Sequence, residues 1–132
     1  MGPNYVLDKG FALSNSGAAQ AIYRFMKFAT ETSVLQQTAA TIFTVGVCQD
    51  RIDAADSATG NAQVNVRMLG ISKVQVGVFT GIVLGSELMS DASGQAILAA
   101  TAGNKVVAIA LQAPVANGEW IDVLLTPNGR TL

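Results

Sequence analysis

Phe25-Met26-Lys27-Phe28-Ala29-Thr30 and Leu88-Met89-Ser90-Asp91-Ala92-Ser93 are two versions of one pattern. At the same offset, Val34-Leu35-Gln36-Gln37-Thr38-Ala39 matches Ile97-Leu98-Ala99-Ala100-Thr101-Ala102. Val45-Gly46-Val47-Cys48-Gln49 matches Val107-Ala108-Ile109-Ala110-Leu111 one residue closer. After a shorter loop, Val64-Asn65-Val66-Arg67-Met68 matches Ile121-Asp122-Val123-Leu124-Leu125. Four segments aligned in the same order read as an internal repeat, approximately 23–70 and 86–129. Each copy has few large apolar side chains and would bury too little alone, whereas two packed copies can share a core.

The repeated segments read as strands. Val64 to Met68 alternates apolar and polar residues with period 2, and Val74, Val76 and Val78 do the same. Along Glu119 to Thr126, Ile121, Val123 and Leu125 face one way and Trp120, Asp122 and Leu124 the other. Ile42 to Cys48, Gly81 to Met89, Ala96 to Ala100 and Lys105 to Gln112 are further apolar runs bounded by turn signals. Asp91-Ala92-Ser93-Gly94 marks one turn. Asn117-Gly118 and Asn128-Gly129 are predicted to form type I′ turns, with positive φ at both central residues. Propensity alone would allow a helix over Ala18 to Phe28. The repeat favours a strand there, because the matching segment Ser86 to Asp91 precedes the turn. The expected fold is all-β, a compact antiparallel β-sandwich or barrel built from two similar halves.

Residues 1–20 have no sustained period and carry Gly2, Pro3, Gly10 and Gly17. They are expected to form an extended N-terminal arm, with a single β-domain over 21–132. Tyr5, Val6, Leu7, Phe11 and Leu13 are too apolar for a solvated tail. They pack either on their own domain or on a partner. Trp120, in a Val/Leu strand, is read as core or subunit interface ahead of a sugar-stacking platform.

Composition excludes much chemistry. Half of the 132 residues are apolar, 13% are charged, and the net charge is −1. Globular chains average about a quarter charged. Without a basic run, the phosphate attraction that drives nucleic-acid binding has little to act through. There is no His, which removes the commonest general base and metal ligand. The single cysteine, Cys48, lies in an apolar run and reads as a small buried hydrophobe. Asp50, Asp53 and Asp56 are spaced by three, but Ile52 and Ala54 occupy positions where a calcium loop needs acids. No catalytic, cofactor-binding or metal-binding residues are assigned. No stretch reaches the length of about 18 apolar residues that spans a bilayer, and the start lacks a signal-peptide pattern. Gly2 is not followed by Ser or Thr at position 6, which is Val6, so no myristoyl site is read.

Three stretches, Arg67-Met68-Leu69-Gly70-Ile71-Ser72-Lys73-Val74, Gly85-Ser86-Glu87-Leu88-Met89-Ser90-Asp91-Ala92-Ser93-Gly94-Gln95-Ala96 and Val107-Ala108-Ile109-Ala110-Leu111, resemble the small capsid decoration (cement) proteins of tailed bacteriophages. Phe25-Met26-Lys27-Phe28 followed by Val45-Gly46-Val47 does so as well. The likeness covers roughly residues 17 to 127 and is one of strands and turns. It implies a non-enzymatic β-domain that forms a homotrimer on the outer capsid surface and ties major capsid protein subunits together. It also implies a virion location after synthesis in the host bacterial cytoplasm, with no cofactor, nucleic-acid partner or membrane. An N-terminal arm often makes the capsid contact in such proteins, so Tyr5, Val6, Leu7, Phe11 and Leu13 are candidate partner-binding residues, for the capsid or a neighbouring subunit, with Trp120 added as a candidate subunit-interface residue. The longer arm and the Ala54 to Asn61 loop depart from the simplest members. The competing expectations are a tail-tube or head-tail joining protein and a carbohydrate-binding β-module.

Overall fold

The computed structural model describes residues 5–14, 17–126 and 131–132. Its first half contains strands β1 (Leu7–Leu13), β2 (Phe25–Phe28), β3 (Ser33–Gln36), β4 (Gly46–Cys48) and β5 (Gln63–Leu69). Its second half contains β6 (Ile71–Gln75), β7 (Glu87–Ser90), β8 (Ala96–Leu98), β9 (Ala108–Ala110) and β10 (Trp120–Leu125). A single turn-and-a-half of helix, α1 (Ala54–Ala58), lies between β4 and β5. The first five strands close into a barrel in the order β1-β3-β2-β4-β5, and the second five form a sheet in the order β6-β10-β9-β7-β8. Followed in the opposite sense, the second order repeats the first strand for strand.

The registers agree with that duplication. Met26 faces Gln36 as Leu88 faces Leu98. Val47 faces Arg67 as Ile109 faces Leu124. Phe11 faces Val64 as Val74 faces Ile121. The parallel seam that closes the first barrel, with Leu13 opposite Val34, recurs as a single parallel bridge between Val76 and Ala96. These ladders correct the sequence alignment by one residue in two strands. Phe25 corresponds to Glu87 rather than Leu88, and Val34 to Ala96 rather than Ile97. Phe25-Met26 and Leu88-Met89 are both consecutive buried pairs, so apolarity alone left the register open.

The repeat also begins earlier than its sequence bounds. β1 corresponds to β6, and both are antiparallel neighbours of the last strand of their half. The segment expected as an arm over 1–20 therefore contains a barrel strand, and Gln20 forms a bridge to Ile52. Phe11 and Leu13 are only 3% and 6% exposed. They lie in the first core with Met26, Val34, Val45, Cys48, Val64 and Val66. Each such side chain contributes about 1.5–3 kcal/mol by burial.

The second core holds Val74, Val76, Leu88, Ala108, Ala110, Ile121, Val123 and Leu125, and it also takes in Phe25 and Val47 from the first half. The start of β2, Phe25-Met26, and the whole of β4 are thus buried on both faces. Met26 and Cys48 point into one core, Phe25 and Val47 into the other. Gly46 permits the close approach of β4 to β5, since a Cβ there would run into the Arg67 carbonyl. Arg24 ties the halves further, donating to the Gln75 Oε1 at 2.9 Å and the Ser93 carbonyl at 2.8 Å.

The turn at Asp91 forms as expected. Its Oδ1 accepts the Ser93 and Gln95 amides at 2.8 and 2.9 Å, and Gly94 has φ +71°. Asn117-Gly118 differs, because only Gly118 takes a positive φ, while the Asn117 Oδ1 accepts the Phe79 amide. Asn128-Gly129 lies outside the described residues. The apolar run Ile42 to Cys48 enters a sheet only at Gly46, and its Phe43 stays exposed.

Deleting residues 1–13 is expected to remove a barrel strand together with Phe11 and Leu13, and to abolish the cooperative thermal transition. Circular dichroism checks this, and a truncated chain with the parent spectrum and a sharp melt contradicts it.

Candidate functional site

The described residues place the candidate partner-binding side chains in three different settings. Tyr5, Val6 and Leu7 are exposed, whereas Phe11 and Leu13 are taken up by the chain's own core. The Phe11 ring meets the edge of Phe28 at 5.9 Å, and the Lys9 ammonium stands 5.1 Å over it. Trp120 is 49% exposed and packs edge-on against Tyr23 at 4.9 Å. Trp120 is not brought together with Tyr5, Val6 and Leu7 into one site by any contact among the described residues.

Tyr23 has a positive φ of 60°, which bulky residues avoid. Its amide donates to the Cys48 carbonyl at 2.8 Å, and its carbonyl accepts the Gln75 amide at 2.9 Å. Those two bonds hold it between the halves. Beside it lies an open, mostly polar crevice of about 340 Å³, lined by Tyr23, Gln49, Arg67, Ile71, Ser72, Lys73 and Asp122. The charges there are paired: Arg67 Nε to Asp8 at 2.8 Å and Lys73 to Asp122 at 3.1 Å. The Asp8 hydrogen bond favours the charged Arg67 and raises its pKa. Burial works against the Arg24 guanidinium and lowers its pKa.

Three exposed apolar groups, apart from Leu7, were not singled out from the sequence. Leu7 faces Leu69 across β1 and β5, and Ile71 faces Leu124 across β6 and β10. Phe28 and Phe43 stack with ring centroids 6.1 Å apart. At one end of the second half, Val78, Phe79, Val83, Leu84 and Val115 protrude from two loops joined by the Phe79–Asn117 hydrogen bond. Residues 76–86 and 111–118 contain no charged side chain, which was the available signal for this end. Large exposed apolar patches mark interaction surfaces.

Among the described residues, no group of three or more His, Cys, Asp or Glu is gathered where it could hold a metal ion. Asp50 is occupied locally, its Oδ2 accepting the Asn65 amide at 2.7 Å. No helix among them is long and apolar enough to cross a membrane. Cys48 is buried, and its thiol donates to the Asp50 carbonyl at 3.1 Å.

No family model matches the chain, and no curated protein does. A solved structure does match: the head fiber gp8.5 N base of bacteriophage phi29. The superposition has a TM-score of 0.65 at 14% identity, covering 93% of this chain and 96% of that one. The fold resembles that of a phage head-fiber base. At this identity the likeness establishes shared architecture over nearly the whole of both chains.

Burial raises the Cys48 pKa from 9.0 to about 11. The folded state therefore holds the thiol protonated where the unfolded chain ionises. The resulting stability is complete below about pH 9 and is lost as pH rises through 11, a difference of about 2–3 kcal/mol. Urea unfolding from pH 8 to 11 is expected to fall more steeply for the parent than for Cys48→Ala. Parallel slopes contradict this.

Proposed function

We propose that the chain is a structural protein of a bacteriophage head, carried on the outer surface of the shell. It binds there as a homotrimer and stabilises contacts between major capsid protein subunits. The observation that carries this reading is the fold likeness to a head-fiber base over 93% of the chain.

The surface supports it. Exposed Val78, Phe79, Val83, Leu84 and Val115 sit at one end of the second half on loops whose own residues carry no charge, the nearby Glu119 carboxylate being engaged by the Val115 and Ala116 amides, and they are offered to the shell. Such a contact needs few charges, because the centre of a lasting protein interface is apolar. A shell presents many equivalent sites, so trimeric binding gains by avidity even where each contact is weak. The paired charges and the net charge of −1 give little attraction for nucleic acid. The protein is made in the host bacterial cytoplasm and finishes on the virion.

The test is sedimentation of the purified chain with undecorated heads of the phage that encodes it. Saturable co-pelleting with intact heads, and greater resistance of those heads to heat, is expected. Failure to pellet with them contradicts the reading.

A further inference from the structure

Tyr23 occupies a position that the repeat gives to glycine. Phe25 corresponds to Glu87, so Tyr23 corresponds to Gly85. Gly85 has φ +84° and donates its amide to the Ala110 carbonyl at 2.8 Å. Tyr23 has φ +60° and donates to the carbonyl of Cys48, the counterpart of Ala110, at the same 2.8 Å. Glycine takes this left-handed conformation freely, whereas a bulky side chain is strained in it. A residue kept under backbone strain points to a use for its side chain. The Tyr23 ring rests against the second core, meets Trp120 edge-on at 4.9 Å, and lines the crevice between the halves. Trp120 stands on the outward row of β10, where the ladder of the first half has Gln63, and is half exposed. Asp122, next on that row, lines the same crevice opposite Lys73.

We propose that Trp120, Tyr23 and the crevice beside them form a binding site for a neutral saccharide. A sugar ring presents an apolar face and a rim of hydroxyls that both donate and accept. Trp120, Tyr23 and Ile71 supply apolar surface here, and the crevice supplies hydrogen-bonding groups. The Gln49 amide nitrogen is spent on the Val47 carbonyl and the Ser72 hydroxyl, and Lys73 meets Asp122 at Oδ1. Among the described residues, the Gln49 Oε1, the Asp122 Oδ2 and the Tyr23 hydroxyl take part in no hydrogen bond. They leave acceptors and a donor for a ligand. Charge sets the ligand class. Arg67 is paired with Asp8 and Lys73 with Asp122, so neither an anion nor a cation meets an unpaired counter-charge. The volume of about 340 Å³ lies within the range of ligand pockets, about 300–1,000 Å³. An open crevice admits a saccharide chain running across the surface. The inference goes beyond the head reading and does not depend on it, since every group of the site belongs to one chain.

Trp120 is the single tryptophan, so its emission reads the site directly. The full chain is titrated with neutral tetrasaccharides of glucose, galactose and N-acetylglucosamine, and with tetragalacturonate as a charged comparison. A saturable change is expected with at least one neutral tetrasaccharide, with a dissociation constant of about 1 mM or tighter that about 0.5 M salt leaves unchanged. Calorimetry reads the variants, and circular dichroism melting reads their folding. Trp120→Ala is expected to weaken binding at least about tenfold, with Trp120→Phe recovering part of the loss. If Trp120→Ala does not fold, Tyr23→Phe carries the test. It keeps the ring and loses the hydroxyl, and is expected to weaken binding about threefold while melting as the parent does. No response to any neutral tetrasaccharide overturns the inference, as does a response to tetragalacturonate alone that salt removes. A folded Trp120→Ala that binds as the parent does overturns it too, as does a Tyr23→Phe of parental affinity where that variant carries the test. Emission that follows protein concentration and ignores saccharide overturns it and assigns Trp120 to a subunit contact. Failure to pellet with heads overturns the head reading alone and leaves a saccharide response in support of this one.

Discussion

Phe25 and Val47 point into one core while Met26 and Cys48, their immediate neighbours in sequence, point into the other. This two-sided wall of β2 and β4 is the constraint on which the rest depends. At Phe25-Met26 and along β4 the chain must be uncharged on both faces, unlike the half-solvated strand of a simple hairpin. β4 must also lie close to β5, which is why Gly46 stands against the Arg67 carbonyl. A side chain lost from the wall opens a cavity in one core and loosens the support of the other. At core sites such losses cost about 2–5 kcal/mol. Among the described residues the second sheet is closed on itself by one bridge, at Val76 and Ala96, and its core takes in Phe25 and Val47 from outside.

Much of this was legible in the sequence. Period-2 alternation located β5, β6 and β10, and the burial of Ile121, Val123 and Leu125 follows the alternation. The Asp91 turn was readable because Asp and Gly occupy positions their chemistry demands. The duplication was visible in four segments, but its first strand was not. β1 spends Asp8, Lys9 and Gly10 on an exposed edge and reaches the core only at Phe11 and Leu13, so it lacks the alternation of β6. Its place in the barrel comes from pairing with β5 and β3, a long-range relation that local pattern does not carry. The same limit left the candidate residues of the N-terminal segment as one undivided set. Phe11 and Leu13 look like Tyr5, Val6 and Leu7 in sequence, and only the closure of the barrel sorts buried from exposed. The loop end with Val83 and Leu84 was hidden because an apolar run without polar alternation reads as buried strand.

The composition follows from the architecture. Two narrow β units leave room mainly for Val and Ala, and a wall buried on both faces raises the apolar share without large aromatics. Duplication buries Phe25 and Val47, whose counterparts Glu87 and Ile109 are half-buried, and Ile71 and Leu124 stand where the first half has Asp8 and Arg67. A chain with such a face and a charge-free loop end has the makings of a part that is completed by neighbours.

Strand-resolved amide hydrogen exchange under native conditions tests the shared wall most directly. The amides of Phe25 and Cys48 in the wall, and of Ile121 and Val123 beyond it, are expected to exchange only through global unfolding, with one opening free energy. Exchange of the second sheet as a separate unit of lower free energy, while β2 and β4 stay fully protected, would contradict the account.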